Sequence, residues 1–128
     1  MFSFFKKQPE PKADAAVAKT FSNITKEQKY SIMNLLLFVS GGIDRNPQAN
    51  ELALLNVYCA TFNVTPDQAH NYLERSGPQA IIQDLTTLAS NQKDMLIIMV
   101  HEMIALRKPL SQSKIVEAMQ FLDPIGID

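Results

Sequence analysis

Residues 38–55 read "FVSGGIDRNPQANELALL", and the parsing of this stretch decides the fold. Its first residues close an apolar run. Gly41-Gly42 then stops a helix, because glycine takes the left-handed C′ conformation without a Cβ penalty. Ile43-Asp44 and a short polar insert follow. Asn46-Pro47 has the form of a new helix start, an N-cap side chain before a proline whose missing N–H costs nothing at N1. Two readings stand side by side. The stretch is a corner between two helices, or it is a ligand loop with Asp44 and Glu51 as its acids.

The flanking sequence is helical in both directions. Upstream, Thr25-Lys26-Glu27-Gln28 has the spacing of a capping box, in which the Thr hydroxyl takes the third helical N–H and Gln reaches back. Ile32, Leu35, Leu36 and Val39 then recur at i, i+3, i+4 and i+7, one buried stripe. Downstream, Leu52, Leu55, Cys59 and Phe62 are read as the stripe of a second helix. Thr65-Pro66-Asp67-Gln68 combines a capping box with an N1 proline, and Ala69, Tyr72 and Leu73 supply the apolar face. Gly77-Pro78 ends that helix and opens a fourth, with Ile81, Leu85 and Leu88 inward.

Ser90 is read as the cap of a fifth helix that runs to about Leu106. Its segment "MLIIMV" is apolar nearly all round, which places this helix at the centre of the fold. Pro109 interrupts, Ser111 caps, and Ile115, Met119 and Leu122 line a sixth helix. No segment alternates with period two over the length of a strand. The expected fold is therefore all-α: a compact bundle of about six helices, with sequence neighbours packed roughly antiparallel across short connections.

The 128 residues match one domain of ordinary size. Residues 1–20 carry four lysines against two acids, with Pro9 and Pro11 close together. Residues 1–24 are accordingly expected to be a tail or linker, and residues 25–128 the helical domain. Within the tail, Phe2, Phe4 and Phe5 beside Lys6 and Lys7 are a candidate interaction segment. One such segment holds a membrane surface or a partner groove only weakly. Its apolar run is too short for a secretory signal and its lysines follow the run instead of preceding it. The runs "LLLFV" and "MLIIMV" fall far short of the roughly 20 residues that cross a bilayer. Net charge is −1, whereas a protein that grips nucleic acid through its phosphates needs a basic surplus. The single cysteine, Cys59, permits no internal disulfide, in keeping with a reducing compartment. The chain is expected to be cytoplasmic, and the Asn23 and Asn63 sequons are read as chance.

The search for chemistry returns mainly structural readings. His101 opens "HEMIA", the first part of a zinc-protease helix, but position 105 is Ala where the second His should stand. A hydrogen-bonded structural histidine is the simpler reading. The loop from Asp44 has Ala49 and Leu55 where a calcium-binding EF-hand needs Gly and a bidentate Glu. Cys59 lies on an apolar stripe and reads as a buried structural thiol. Met95, Met99 and Met103, four residues apart, read as core, with a partner-binding methionine face as the other possibility. No catalytic residue, metal ligand set or cofactor motif stands out.

Two segments echo one another. "LLLFVSGGIDRNPQANELALLNVYCATFNV" and "IIMVHEMIALRKPLSQSKIVEAMQFLDPIGI" share an apolar helix, a corner, a cap region and a second apolar helix. This layout predicts two pseudo-repeated helical hairpins. The corner "VSGGID", with Glu51 in "NELALLNVYCATFNVTPDQA", resembles the TerB-like family, named for a tellurite-resistance protein and found also beside DnaJ-type domains. In that family an apolar helix runs into a corner of the type Ala-Asp-Gly-x-Ile-Asp, followed by a Glu on the next helix. The resemblance covers residues 26–75 and, more thinly, 90–127. The family's acidic cluster is largely replaced: Ser40 stands at its first corner acid, and Arg107 and Lys114 at the second-half positions. What the resemblance implies is a helical scaffold that acts by binding other proteins, in a stress response or at a membrane surface, without catalysis. The alternative is a small-molecule or divalent-metal binding domain that uses the 40–51 corner through Asp44 and Glu51.

Overall fold

A computed structural model describes residues 13–41 and 49–106 of the chain. Among these residues there are six α-helices and no strand: α1 (Ala15–Thr20), α2 (Lys26–Gly41), α3 (Ala49–Phe62), α4 (Pro66–Ser76), α5 (Pro78–Thr86) and α6 (Ser90–Leu106). The all-α bundle expected from periodicity is the fold. Its six helices are not the six expected, however: α1 is additional, and the helix read over 111–122 lies outside the described residues. So do the tail residues 1–12 with Phe2, Phe4, Phe5, Lys6 and Lys7, the corner 42–48 with Asp44, and the second arm of the pseudo-repeat with Arg107 and Lys114.

Local capping chemistry sets the helix starts. Thr25 Oγ1 accepts from the Gln28 N–H at 3.0 Å while Gln28 Oε1 accepts from the Thr25 N–H at 2.9 Å. Thr65 and Gln68 repeat the exchange at 3.1 and 3.0 Å. Each box satisfies two backbone donors that a helix start would otherwise leave unpaired. Ser90 does not cap α6 as expected. It is the first helical residue. The chain enters at Ala89, whose N–H donates to Gln92 Oε1 at 2.9 Å. Helix α3 ends with Asn63 at φ 56° and the Val64 N–H reaching the Cys59 carbonyl at 3.1 Å. That is a Schellman closure, with asparagine serving in place of glycine. Gly77, at φ 85° and ψ 165°, both ends α4 and opens α5.

Among the described residues α2 stands at the centre, and α6, expected there, packs against three helices. Helix α2 meets α3, α4, α5 and α6. Its Ile32, Leu35, Leu36 and Val39 stripe is fully buried, and Met33 and Ser31 are buried on its other faces. Helix α6 buries Leu96, Met99, Val100 and Met103, but Ile98 within "MLIIMV" is 53% exposed. An all-round apolar sequence thus sits at the side of the core, against α1, α2 and α3. The polar side chains of α2 point at backbone or carboxylate partners. Asn34 Nδ2 donates to the Ala69 carbonyl of α4 at 2.9 Å and to the Tyr30 carbonyl at 3.0 Å. Such pairing removes the cost of burying an amide.

The expected tail contains an ordered element. Asp14 caps α1 by accepting the Ala16 and Val17 N–H groups at 3.1 Å, and its own N–H donates to Thr61 Oγ1 of α3 at 2.9 Å. Val17 and Phe21 are 3% and 2% exposed. The Phe21 ring meets the Phe62 ring edge-on, centroids 5.5 Å apart. From the other side, Gln92 Nε2 donates to the Thr20 carbonyl and to Asn23 Oδ1. Six residues cannot sustain a helix in isolation. The α1 helix exists because α3 and α6 receive its two large apolar side chains.

Candidate functional site

Helix α3 carries two apolar faces. Its core face is Glu51, Leu55, Tyr58 and Phe62, which corrects the expected stripe of Leu52, Leu55, Cys59 and Phe62. Leu52 is 47% exposed, and Cys59 is half-buried instead of enclosed. The second face is offset by one residue: Ala53, Leu54 and Val57, with the Asn50 amide one turn before them, at i, i+3, i+4 and i+7 from Asn50. It forms one wall of an open groove of about 590 Å³, and Glu102, Ala105 and Leu106 of α6 form the other. The groove is apolar along its length, with one amide and one carboxylate among its lining side chains. That form suits an amphipathic helix laid along it better than an enclosed small molecule.

Two hydrogen bonds brace the walls. Asn50 Nδ2 donates to the Leu106 carbonyl at 3.0 Å, so the first turn of α3 holds the last residue of α6. Tyr58 Oη donates to Glu102 Oε1 at 2.8 Å. Burial, and then the bond to Glu102, raise the Tyr58 hydroxyl well above its ordinary pKa, since both disfavour a phenolate. Tyr58 therefore acts as a donor that positions Glu102.

Of the acids proposed for the corner, Glu51 is described and Asp44 is not. Glu51 is fully buried at the first turn of α3, where the helix dipole favours a carboxylate. Ser40, at the other side of the corner, is also fully buried, and its hydroxyl donates to the Leu37 carbonyl at 3.0 Å. Among the described residues no group of three or more His, Cys, Asp or Glu side chains is placed to hold a metal ion.

His101 is exposed on α6, and among the described residues no hydrogen bond supports the structural, hydrogen-bonded role expected for it. Met99 and Met103 are core residues and Met95 packs partly against them. The thiol of Cys59 is pushed up from its ordinary pKa by burial, which lowers its thiolate content at neutral pH.

A second polar cluster lies between α2, α4 and α5. Asp84 Oδ2 accepts from Ser31 Oγ at 2.7 Å and from Tyr72 Oη at 2.5 Å. The Tyr72 ring stacks obliquely on Tyr30, centroids 5.4 Å apart, and the Arg75 guanidinium lies over it at 5.5 Å. Burial, followed by the Asp84 bond, pushes Tyr72 up to about 12. Three helices are pinned by one carboxylate. Sequence reasoning did not find Asp84, Asn50, Tyr58 or Glu102. Their only signal is a polar group flanking an apolar stripe at helical spacing, which many solvent-facing residues share.

No helix among the described residues is long and apolar enough to cross a membrane. No protein-family model, curated protein or solved structure matches the chain.

Proposed function

We propose that this chain is a non-enzymatic interaction or scaffold domain of TerB-like type, and that it receives an amphipathic helix of a protein partner in the α3/α6 groove. The observation that carries the reading is the second apolar face of α3. Core packing needs only one face of a helix. Leu54 and Leu106 pack only partly against the core, Val57 is half-buried, and Ala53 and Ala105 are exposed, and apolar surface gathered into a groove is the usual form of a binding site. A stress-response or membrane-surface setting follows from the family resemblance alone.

Affinity capture with the intact chain, compared with Val57→Glu and Leu54→Glu, tests the reading. A partner that binds the purified wild-type chain directly and loses at least tenfold in affinity with either variant is the expected result. Partners that bind all three chains equally would overturn it. Circular dichroism of each variant establishes that the fold is retained.

A second reading is favoured by the complete burial of Glu51 and Ser40 on either side of the corner. It makes the 40–51 corner a divalent-cation site with Asp44. Calcium needs six to eight oxygen ligands, and Ser40 spends its hydroxyl on its own helix. Titration with calcium, magnesium and zinc separates the readings. Binding tighter than about 10 μM, roughly 7 kcal/mol, that disappears in Asp44→Ala would establish the metal reading.

A further inference from the structure

The α3/α6 groove has a definite charge as well as an apolar lining. Of the residues that line it, Glu102 alone is titratable. Glu102 is exposed, yet its carboxylate is held in place, because Tyr58 Oη donates to Oε1 at 2.8 Å. A carboxylate has about four acceptor positions, so one bond from a phenol leaves most of them to a donor that approaches along the groove. Among the described residues no cation pairs with Glu102. A second acid stands nearby. The Asp14 N–H donates to Thr61 Oγ1 at 2.9 Å, and Thr61 is one turn after Val57 on α3. Both carboxylates are close enough to act electrostatically on the Tyr58 hydroxyl.

Apolar surface flanks Glu102 in both directions along α6. Ile98, one turn before it, is 53% exposed. Ala105 and Leu106, one turn after it, line the groove. Positions 98, 102, 105 and 106 share one helical face, so the negative charge is set within an apolar strip. A helix laid over this strip takes Glu102 out of water, which is costly for an unpaired carboxylate. A Lys or Arg on the incoming helix removes that cost, whereas a second carboxylate adds repulsion. An anionic lipid surface attracts basic faces, so an acidic groove of this kind suits a protein helix better.

We propose that the α3/α6 groove selects basic amphipathic helices. The partner's apolar stripe seats on Ala53, Leu54 and Val57, and a Lys or Arg beside that stripe pairs with Glu102. The proposal rests on the groove being a helix acceptor, and adds the class of helix it accepts.

The test selects from a displayed library of amphipathic helices as long as α3, 14 residues, with a fixed apolar stripe and randomised flanking positions. The bait is the full chain, and circular dichroism establishes that each variant keeps the fold. Lys and Arg should be enriched about fivefold at one flanking position, the upper range for a single exposed ion pair. Glu102→Gln keeps an acceptor for Tyr58 and should abolish the enrichment. Glu102→Lys should turn it toward Asp and Glu, and Val57→Glu should select no helices. Neutral or acidic flanks on the wild-type chain, or a basic preference that survives both Glu102 variants, would overturn the proposal. If Val57→Glu still abolished selection, the helix-acceptor reading would stand. Recovery of no helices, or of the same helices by wild type and Val57→Glu, would refute that reading and the proposal with it. Dimerisation of the chain that Val57→Glu abolishes would assign the groove to a second copy. Binding to phosphatidylserine vesicles that Val57→Glu abolishes would assign it to a lipid surface. Either result would overturn the proposal.

Discussion

Replacing Phe21 by alanine tests whether α1 belongs to the folded domain. Phe21 is 2% exposed, and its ring packs edge-on against Phe62 at 5.5 Å. Truncation of a buried phenylalanine costs about 3–5 kcal/mol, transfer and cavity terms together. The lost aromatic pair accounts for roughly 1 kcal/mol of that range. Relaxation is easier here than in a central helix, because α1 is a short element at the chain's edge. The expected loss is therefore near the lower end, about 3 kcal/mol. For a domain of this size that lowers Tm by about 10–15 °C. Urea unfolding followed by far-UV circular dichroism should show the same loss as a shifted midpoint at unchanged m-value. Val17→Ala removes two methyl groups and should cost about 1–2 kcal/mol. The double variant should cost less than the sum, because both side chains dock the same short helix. A Phe21→Ala loss below about 1 kcal/mol would refute the reasoning, as would amide exchange that rises only in residues 15–21 while the global midpoint holds. In either case α1 would be an ornament on a core that stands without it.

Gly77→Ala should destabilise by about 1–3 kcal/mol. Its φ of 85° with ψ of 165° lies in a region essentially restricted to glycine, while an added Cβ meets nothing within 4 Å. A neutral result in thermal melts would show that the α4–α5 junction relaxes freely. Stability should fall as pH rises from about 10 toward 12, because the unfolded Tyr72 ionises near its ordinary value while the folded phenol holds its proton to about 12; its contribution is complete below pH 10. Tyr72→Phe should reduce that slope without abolishing it, because the raised Tyr58 phenol contributes in the same direction; an unchanged slope in denaturant titrations across this window would contradict the assignment. Cys59, half-buried with its thiol pKa raised, should react with a maleimide more slowly than a free thiol at pH 7 and accelerate above pH 9. A rate equal to that of a small-molecule thiol would show it fully accessible, and Cys59→Ala should cost only about 1 kcal/mol.

The features legible in the sequence are those whose partners are close along the chain. Thr25 with Gln28, Thr65 with Gln68, and Gly77-Pro78 can be read directly, because a cap bonds within four residues and a φ of 85° favours glycine wherever it occurs. The Ile32, Leu35, Leu36 and Val39 stripe was equally readable, and those two signals together are enough for an all-α fold. Periodicity lost its power where a helix is apolar on more than one face. In α3 the choice between Leu52 and Glu51 as the inward residue depends on where α2 stands, and Glu51 is the one enclosed. The hydrophobicity of α6 suggested a centre that, among the described residues, α2 occupies, because burial depends on the neighbours a helix finds. Helix α1 was invisible for the same reason. Val17 and Phe21 are a single i, i+4 pair, too short to read as a stripe, and α3 and α6 make their burial favourable. The groove, the Tyr58–Glu102 bond and the Asp84 cluster all join residues from separate helices. Local chemistry sets where helices begin and end, whereas the choice of face belongs to tertiary packing, since the free energy of burying a side chain exists only once its neighbour is in place.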